Sequence, residues 1–325
     1  MLKTSIDWLP ELGIRECRTS GDTMGTRYSA RFHIPVTTDM NNVLPALAAA
    51  VAAVDHQMSN WKADSDLMHL NRAALDLWVP IPAGLATVLN RSLEIERKTG
   101  NAFNIGIGDL LDAWGFGPSR TRRQPPPAAG PRPPAHSLLE VDLPNLRARK
   151  HGPIALDLCG IAKGYGVDEL ARVLTAHGIA SWLVGIDGEL RTRGTKPDGS
   201  AWAVGLEAPQ DDSRTAIGVI ELADAAIATS GDYRHWALVD GQRVSHTMDP
   251  RTGRPLRRSP ASVTVVAACC MDADAYATAL MVAGEDEGSR LARRLGLDAL
   301  FVYRDGDRWH AVGAGLFDDA LGAAR

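Results

Sequence analysis

Long apolar runs are missing from this chain. The longest uncharged apolar stretch, 43–54, falls well short of the roughly 20 residues a membrane helix needs. No apolar leader core follows Lys3, the one early positive charge, and residues 1–17 carry Asp7, Glu11, Arg15 and Glu16. No secretory signal is visible there, so the sequence as written leads one to expect a cytoplasmic protein, or a periplasmic one if a leader was removed. An excess of one charge is missing too. Thirty-five Lys and Arg stand against 39 Asp and Glu, which gives no electrostatic reason to expect nucleic acid as a partner. Cysteine is scarce: Cys17, Cys159, Cys269 and Cys270 form neither a CxxC pair nor a zinc-spaced cluster, and they read as small hydrophobes. There is no GxxxxGK[ST] loop, no complete GxGxxG and no GxSxG elbow, so the common nucleotide and serine-hydrolase signatures are excluded.

What is present is a 325-residue chain of ordinary apolar content, long enough for a large core. Met24–His33 alternates as a strand. Val43, Leu47, Val51, Val54 and Met58 recur at helical spacing after Asn41 or Asn42. A short helix follows a cap at Asp64 or Ser65, and a longer one runs from about Ala83 to Lys98 and stops at Thr99-Gly100. Pro118–Gly152 breaks the pattern with Pro-Pro-Pro-Ala-Ala-Gly-Pro-Arg-Pro-Pro at 125–134, read as an exposed loop within one domain. Ile154–Leu158 reads as a short strand before a helix that ends at His177-Gly178. Strands are expected at Trp182–Ile186, Trp202–Glu207, Thr215–Leu222 and Ser262–Ala268, a hairpin around Asp240-Gly241, and a helix from about Asp272 to Val282. Mixed order with antiparallel hairpins indicates an α+β fold. Residues 1–22 read as an N-terminal extension and 23–325 as a single domain.

Several segments carry polar groups suited to phosphate chemistry. Asp274 and Thr278 stand four apart at the start of a helix and share a face, where a carboxylate and a hydroxyl are hard ligands for Mg²⁺ or Ca²⁺. On spacing alone the plainer reading prevails, an N-terminal aspartate favoured by the helix dipole beside an unrelated threonine. Asp157 through Gly164 is a strand-to-helix turn that offers backbone N–H groups and the cation of Lys163 to an anion. A buried Asp157 requires partners. Ser230-Gly231-Asp232-Tyr233 is either a phosphate-binding turn or a plain tight turn. His246 stands before an Asp-Pro turn, where it is a general-base candidate near neutral pH or a structural histidine. Trp61 and Trp114 stack on a flat ring or fill core.

In order along the chain come Met24-Gly25-Thr26, Met58-Ser59 with Ser65 and Asn71, Trp114-Gly115-Phe116-Gly117, Asp157 through Gly164, Ser230 through Tyr233, His246 through Gly253, and Asp274-Ala275-Tyr276-Ala277-Thr278. Together they resemble the ApbE family of FAD:protein FMN transferases over about residues 24–284. The resemblance implies an ApbE-like fold, with mixed or antiparallel sheets, flanking helices and two interleaved lobes that hold FAD between them. It implies Mg²⁺-dependent transfer of FMN from FAD to a Thr or Ser hydroxyl of an acceptor flavoprotein bearing a motif like Asp-x-x-[Ser/Thr]-Gly-Ala-Thr, with release of AMP. FAD hydrolysis to FMN and AMP, or flavin binding without catalysis, are the alternatives. The matching positions imply Asp274, Thr278 and the carbonyl of Ala162 as metal ligands. They imply His246 as the group assisting the acceptor hydroxyl. Met24, Trp61, Trp114, Asp157, Lys163, Ser230, Gly231, Asp232 and Tyr233 are implied at the FAD site. Three places depart from the family pattern: Phe103-Asn104-Ile105-Gly106, Cys159, and Ile186-Asp187-Gly188-Glu189, where Asp187 replaces a glycine.

Overall fold

The computed structural model describes residues 3–9, 11, 13–118, 130–209, 216–232, 236–239, 242–256, 260–305 and 308–318. Along the chain come β1 (Lys3–Leu9), β2 (Ile14–Thr23), β3 (Thr26–Pro35), α1 (Val43–Met58), α2 (Asp66–Arg72), β4 (Val79–Pro80), α3 (Ala83–Lys98), α4 (Gly108–Ala113), β5 (Leu139–Asp142) and β6 (Arg147–Lys150). They are followed by α5 (Ala162–Ala176), β7 (Ser181–Ile186), β8 (Glu189–Arg193), β9 (Trp202–Glu207), β10 (Ala216–Leu222), β11 (Ala226–Gly231), β12 (Trp236–Val239) and β13 (Gln242–Ser245). The last elements are β14 (Met248–Asp249), β15 (Arg254–Pro255), β16 (Ser262–Ala267), α6 (Cys270–Leu295), β17 (Asp298–Asp305) and β18 (Arg308–Ala314).

A nine-stranded sheet in the order β1-β2-β3-β7-β8-β11-β16-β17-β18 forms the frame, and neighbouring strands run antiparallel throughout. The fold is therefore α+β, with antiparallel sheets and flanking helices. Residues 1–22, read from sequence as an extension, supply β1 and most of β2 at one edge of this sheet.

Helix α1 follows its apolar stripe: Val43, Leu47, Val51, Val54 and Met58 are its buried residues. Burial of each large side chain contributes about 1.5–3 kcal/mol, which outweighs the modest intrinsic propensity of its valines. Val43, Leu47 and Val51 enter one core cluster with Phe32, Trp182 and Val184, whereas Val54 and Met58 enter another with Leu85, Leu280 and Phe301. Helix α5 also serves both clusters, through Ala162 and through Val167 and Leu170, and this is the physical content of two interleaved lobes. Ser65 caps α2, its hydroxyl accepting the Met68 N–H at 3.1 Å.

Two expectations from sequence need correction. Ile154–Leu158 joins no sheet. Its backbone groups are taken instead by Asn71, Ile105 and Gly108, through Asn71 bonds to both the N–H and carbonyl of Leu156 and through Asp157 N–H to Ile105 O at 2.8 Å. Within the segment read as an exposed loop, β5 and β6 pair as a hairpin, and Ala135, Leu139 and Ala148 are buried in the core. The prolines lie before this hairpin, and residues 119–129 are outside the described residues. So is the Asp240-Gly241 turn, although β12 and β13 on either side pair as expected. No described helix is long and apolar enough to cross a membrane.

Candidate functional site

Two helices and the frame sheet meet around one cavity of about 620 Å³, within the usual size range of small-molecule sites. Its wall includes Asp157, Cys159, Gly160 and Lys163 from the start of α5, Ser230 and Gly231 from β11, His246, and Asp274 and Thr278 from α6. Segments far apart in sequence are thus brought to one surface.

The junction of α5 and α6 explains the placement. Gly164 donates its backbone N–H to Asp274 Oδ2 at 2.9 Å. A Cβ at position 164 would run into the Cys270 carbonyl and lie 2.8 Å from Asp274 Cβ, so this close approach requires glycine. Helix α6 has no side-chain cap of its own. Asp168 of α5 supplies one, accepting the N–H groups of Cys270 and Met271 at 2.9 Å each. Arg191 of β8 donates to the same carboxylate at 2.7 Å. The start of α6 is thereby fixed on α5, and Asp274, Thr278 and Val282 project into the cavity at successive turns.

Charge in the cavity is mostly negative. Lys163 Nζ lies 2.6 Å from Glu189 Oε1 and 3.3 Å from Asp187 Oδ2. Burial alone would lower the Lys163 pKa, but Glu189, Asp274 and Asp187 outweigh it and hold the ammonium charged. Burial raises Glu189, and its Oε2 has no hydrogen-bond partner among the described residues. Asp274 is pushed up to about 7, first by burial and then by the charge of Glu189. A buried carboxylate raised that far gains from a nearby cation. Thr278 Oγ1 is 3.1 Å from Ser230 Oγ, which adds hydroxyl oxygens beside the carboxylate. The donor set is oxygen only, as Mg²⁺ prefers. Ala162 opens α5 two residues before the Gly164 that meets Asp274, and it does not line the cavity. No group of three or more His, Cys, Asp or Glu suited to a metal occurs among the described residues. A cation here therefore needs the hydroxyl and carbonyl ligands.

Asp157 lines the cavity while buried, and burial raises its pKa. It accepts the Cys159 N–H at 2.8 Å and a bond from Asn60 Nδ2. Cys159 is exposed at the wall, where the neighbouring Asp157 carboxylate disfavours its thiolate. The ring of His246 meets Phe116 edge-on with centroids 6.4 Å apart.

Other residues singled out from sequence sit elsewhere. Met24 turns the β2–β3 hairpin at φ 46° and packs against both core clusters, its methyl close to Gly166 and not at the cavity wall. Trp61 is half exposed beyond α1. Trp114 ends α4, and its Nε1 is buried without a hydrogen-bond partner among the described residues. Neither tryptophan lines the cavity. Asp232 accepts from Arg304 at 2.8 Å beside the cavity-lining Gly231. Tyr233 lies outside the described residues.

Sequence reasoning missed part of the wall. Glu189 and Asp187 were noticed as departures and not as site residues. Asp187 holds φ 59°, a conformation unusual for a residue with a side chain, and accepts from Thr26 Oγ1 at 3.1 Å. Asn104 lines the cavity with its own polar needs met: its Oδ1 accepts the Gly106 N–H at 2.6 Å, and its Nδ2 donates to Asn101 and Pro133. No local sequence pattern marks Glu189, whose burial comes from the place of β8 inside the nine-stranded sheet.

Residues 24–301 match the model of the ApbE family. The chain belongs to the ApbE family. Among its relatives, the FAD:protein FMN transferase of Vibrio cholerae serotype O1 is 33% identical over 306 residues, which cover 93% of this chain and 92% of the relative. That of Salmonella typhimurium is 35% identical over 271 residues, covering 78% and 75%. Among solved structures, the apo form of Pseudomonas stutzeri flavinyl transferase ApbE superposes with a TM-score of 0.84 at 32% identity, covering 99% of this chain and 98% of that one. The ApbE flavin transferase of Vibrio cholerae superposes at 0.80 with 31% identity, covering 94% and 98%.

Proposed function

We propose that this ApbE-family chain transfers FMN from FAD to a threonine or serine hydroxyl of an acceptor protein, in a Mg²⁺-dependent reaction that releases AMP. The observation that carries the reading is the convergence of Asp274, Thr278, Lys163, Ser230 and His246 on one cavity. Relatives named FAD:protein FMN transferase, about one-third identical over most of this chain, support the same reading.

The reaction asks for three things. Negative charge on the pyrophosphate needs fixed positive partners, the acceptor hydroxyl needs a proton acceptor, and the flavin phosphate must be held in line. The chemistry that Mg²⁺ supplies when bound by Asp274, Thr278 and the Ala162 carbonyl is neutralisation of the pyrophosphate charge. Lys163 adds a cation at the same wall, and Ser230, in strand β11, adds a hydroxyl donor. An imidazole nitrogen of His246 takes the proton of the acceptor hydroxyl as its oxygen bonds to the FMN phosphorus. The bond from that phosphorus to the bridging oxygen breaks, and the oxygen leaves with AMP. The proton on His246 then returns to solvent or to the leaving phosphate. Asp157, held by Asn60 and Cys159, supports the turn that carries Lys163. Met24, Trp61, Trp114 and Asp232, which do not line the cavity, take no step in this reading.

The acceptor is a flavoprotein segment with an Asp-x-x-[Ser/Thr]-Gly-Ala-Thr-like motif. Chromatography of AMP tests the assignment. AMP should form from FAD and Mg²⁺ only when such a segment is added. AMP formed at the same rate without it would instead make the chain a hydrolase.

A further inference from the structure

Helix α6 is not continuous. Gly284 adopts φ 78° and ψ −165°, outside the helical range, six residues beyond Thr278. Val282, which lines the cavity, stands two residues before this break. Its carbonyl, in an interrupted turn, needs a donor from elsewhere.

That donor is Arg251. Its Nη2 reaches Val282 O at 3.0 Å, while Nη1 pairs with Glu287 Oε2 at 2.6 Å on the far side of the break. The same guanidinium holds Asp249 by Nε to Oδ1 at 3.0 Å and Nη2 to Oδ2 at 3.3 Å, and the Arg251 N–H also donates to Oδ1, at 2.9 Å. Asp249 ends β14, three residues after His246, and the intervening Met248 is buried. A tight turn closes the unit, since Gly253 at φ 67° donates its N–H to Asp249 O at 2.8 Å. One planar fork therefore joins the strand that follows His246 to both sides of the break in the helix that carries Asp274 and Thr278. A lysine at 251 has no such fork and would satisfy only part of this set.

We propose that Arg251 is a positioning residue: by clamping Asp249 to Val282 and Glu287 across the Gly284 break, it fixes where His246 stands relative to the Asp274–Thr278 face of α6. The inference rests on the roles proposed above for His246 and α6. It adds that their relative placement is set by a side chain that touches no substrate. A displacement of about 1 Å at a reacting centre costs on the order of a hundredfold in rate, so loosening this clamp should be seen in turnover and not mainly in affinity.

The test is a double-substitution cycle on the full chain, with R251M, H246A and the pair, assayed with FAD, Mg²⁺ and an acceptor peptide. R251M should lower kcat by about tenfold to a hundredfold while the KM for FAD moves by less than about threefold. In the H246A background the same change should alter the residual rate by less than about twofold, because the group it positions is gone. R251K should recover part of the loss. Unchanged kcat in R251M would overturn the proposal. So would the same fold-loss with and without His246, or a loss that only follows the unfolded fraction.

A second readout does not depend on turnover. In ring NMR spectra of histidine-labelled protein, the resonance absent from H246A should shift in R251M while that of His56, far from the clamp in sequence, stays. An unmoved His246 signal overturns the clamp. A wild-type protein that transfers no FMN while its His246 signal still responds to R251M would overturn the proposed function and leave the clamp standing. Should R251M fail to fold, R251K carries both comparisons, with smaller changes expected in the same direction.

Discussion

The carboxylate of Asp274 accepts the backbone N–H of Gly164 at 2.9 Å, and this one bond joins the two helix starts that build the site. It places the carboxylate beside Lys163 at the start of α5. Burial and then the charge of Glu189 push the group up to about 7, and the Gly164 bond acts against that rise.

Asp274→Asn should therefore separate metal binding from folding. The amide keeps an oxygen for Gly164 and removes the buried charge, so the metal-free protein should melt no lower than the wild type. The rise in melting temperature that Mg²⁺ gives the wild type should disappear, since a ligand that binds only the native state stabilises it in proportion to occupancy. An undiminished Mg²⁺-induced rise in the variant would remove Asp274 from the ligand set.

His246→Ala should leave FAD affinity close to that of the wild type and slow transfer by about a hundredfold or more, the usual range for a lost general base. Fluorescence titration of FAD and a single-turnover transfer assay check the two halves. Loss of FAD binding with normal residual chemistry would make His246 a binding residue instead.

Asp168 is a stability test of the same architecture. Its carboxylate satisfies two N–H groups at the start of α6 and pairs with Arg191. Asp168→Ala should cost about 2 kcal/mol in urea unfolding, in the range of a lost cap and of charged hydrogen bonds. Asp168→Asn, which still offers an acceptor, should cost less. Equal losses would show that the charge and not the cap dominates.

Asp187→Gly addresses the departure at the β7–β8 turn. Glycine relieves a positive φ worth about 1 kcal/mol but removes the bonds to Thr26 and Lys163, so stability should change little. Removal of a negative charge beside Lys163 should favour an anionic ligand. The KM for FAD should fall roughly two- to fivefold, as about 0.5–1 kcal/mol from one partly exposed charge allows. A rise in KM would mean that Asp187 contacts the substrate directly.

The helices were the most legible part of the sequence. The α1 stripe, the Ser65 cap and the stop after Lys98 are local signals, and the structure places all three as read. Residues 154–158 misled because an extended apolar run looks like a strand whether its backbone bonds go to a sheet or to Asn71 and Ile105. The β5–β6 hairpin was hidden behind a proline-rich stretch, and β1 and β2 carry too many charges to read as parts of a large sheet. In the site, helix spacing put Asp274 and Thr278 on one face, but it took the resemblance to single them out, since that spacing alone reads as an ordinary helix start. Glu189 was not legible, since its burial depends on β8 lying inside the nine-stranded sheet, which no local pattern encodes. The link from Arg251 to Val282 was equally invisible, because it depends on a helix break 33 positions away at Gly284.

Mass spectrometry of the acceptor tests the central claim most directly. A fragment bearing Asp-x-x-Thr-Gly-Ala-Thr, incubated with the protein, FAD and Mg²⁺, should gain the mass of one FMN as a phosphoester on its threonine, and chelation should abolish the gain. An unmodified acceptor alongside AMP accumulating in the same tube would contradict transfer and establish hydrolysis in its place.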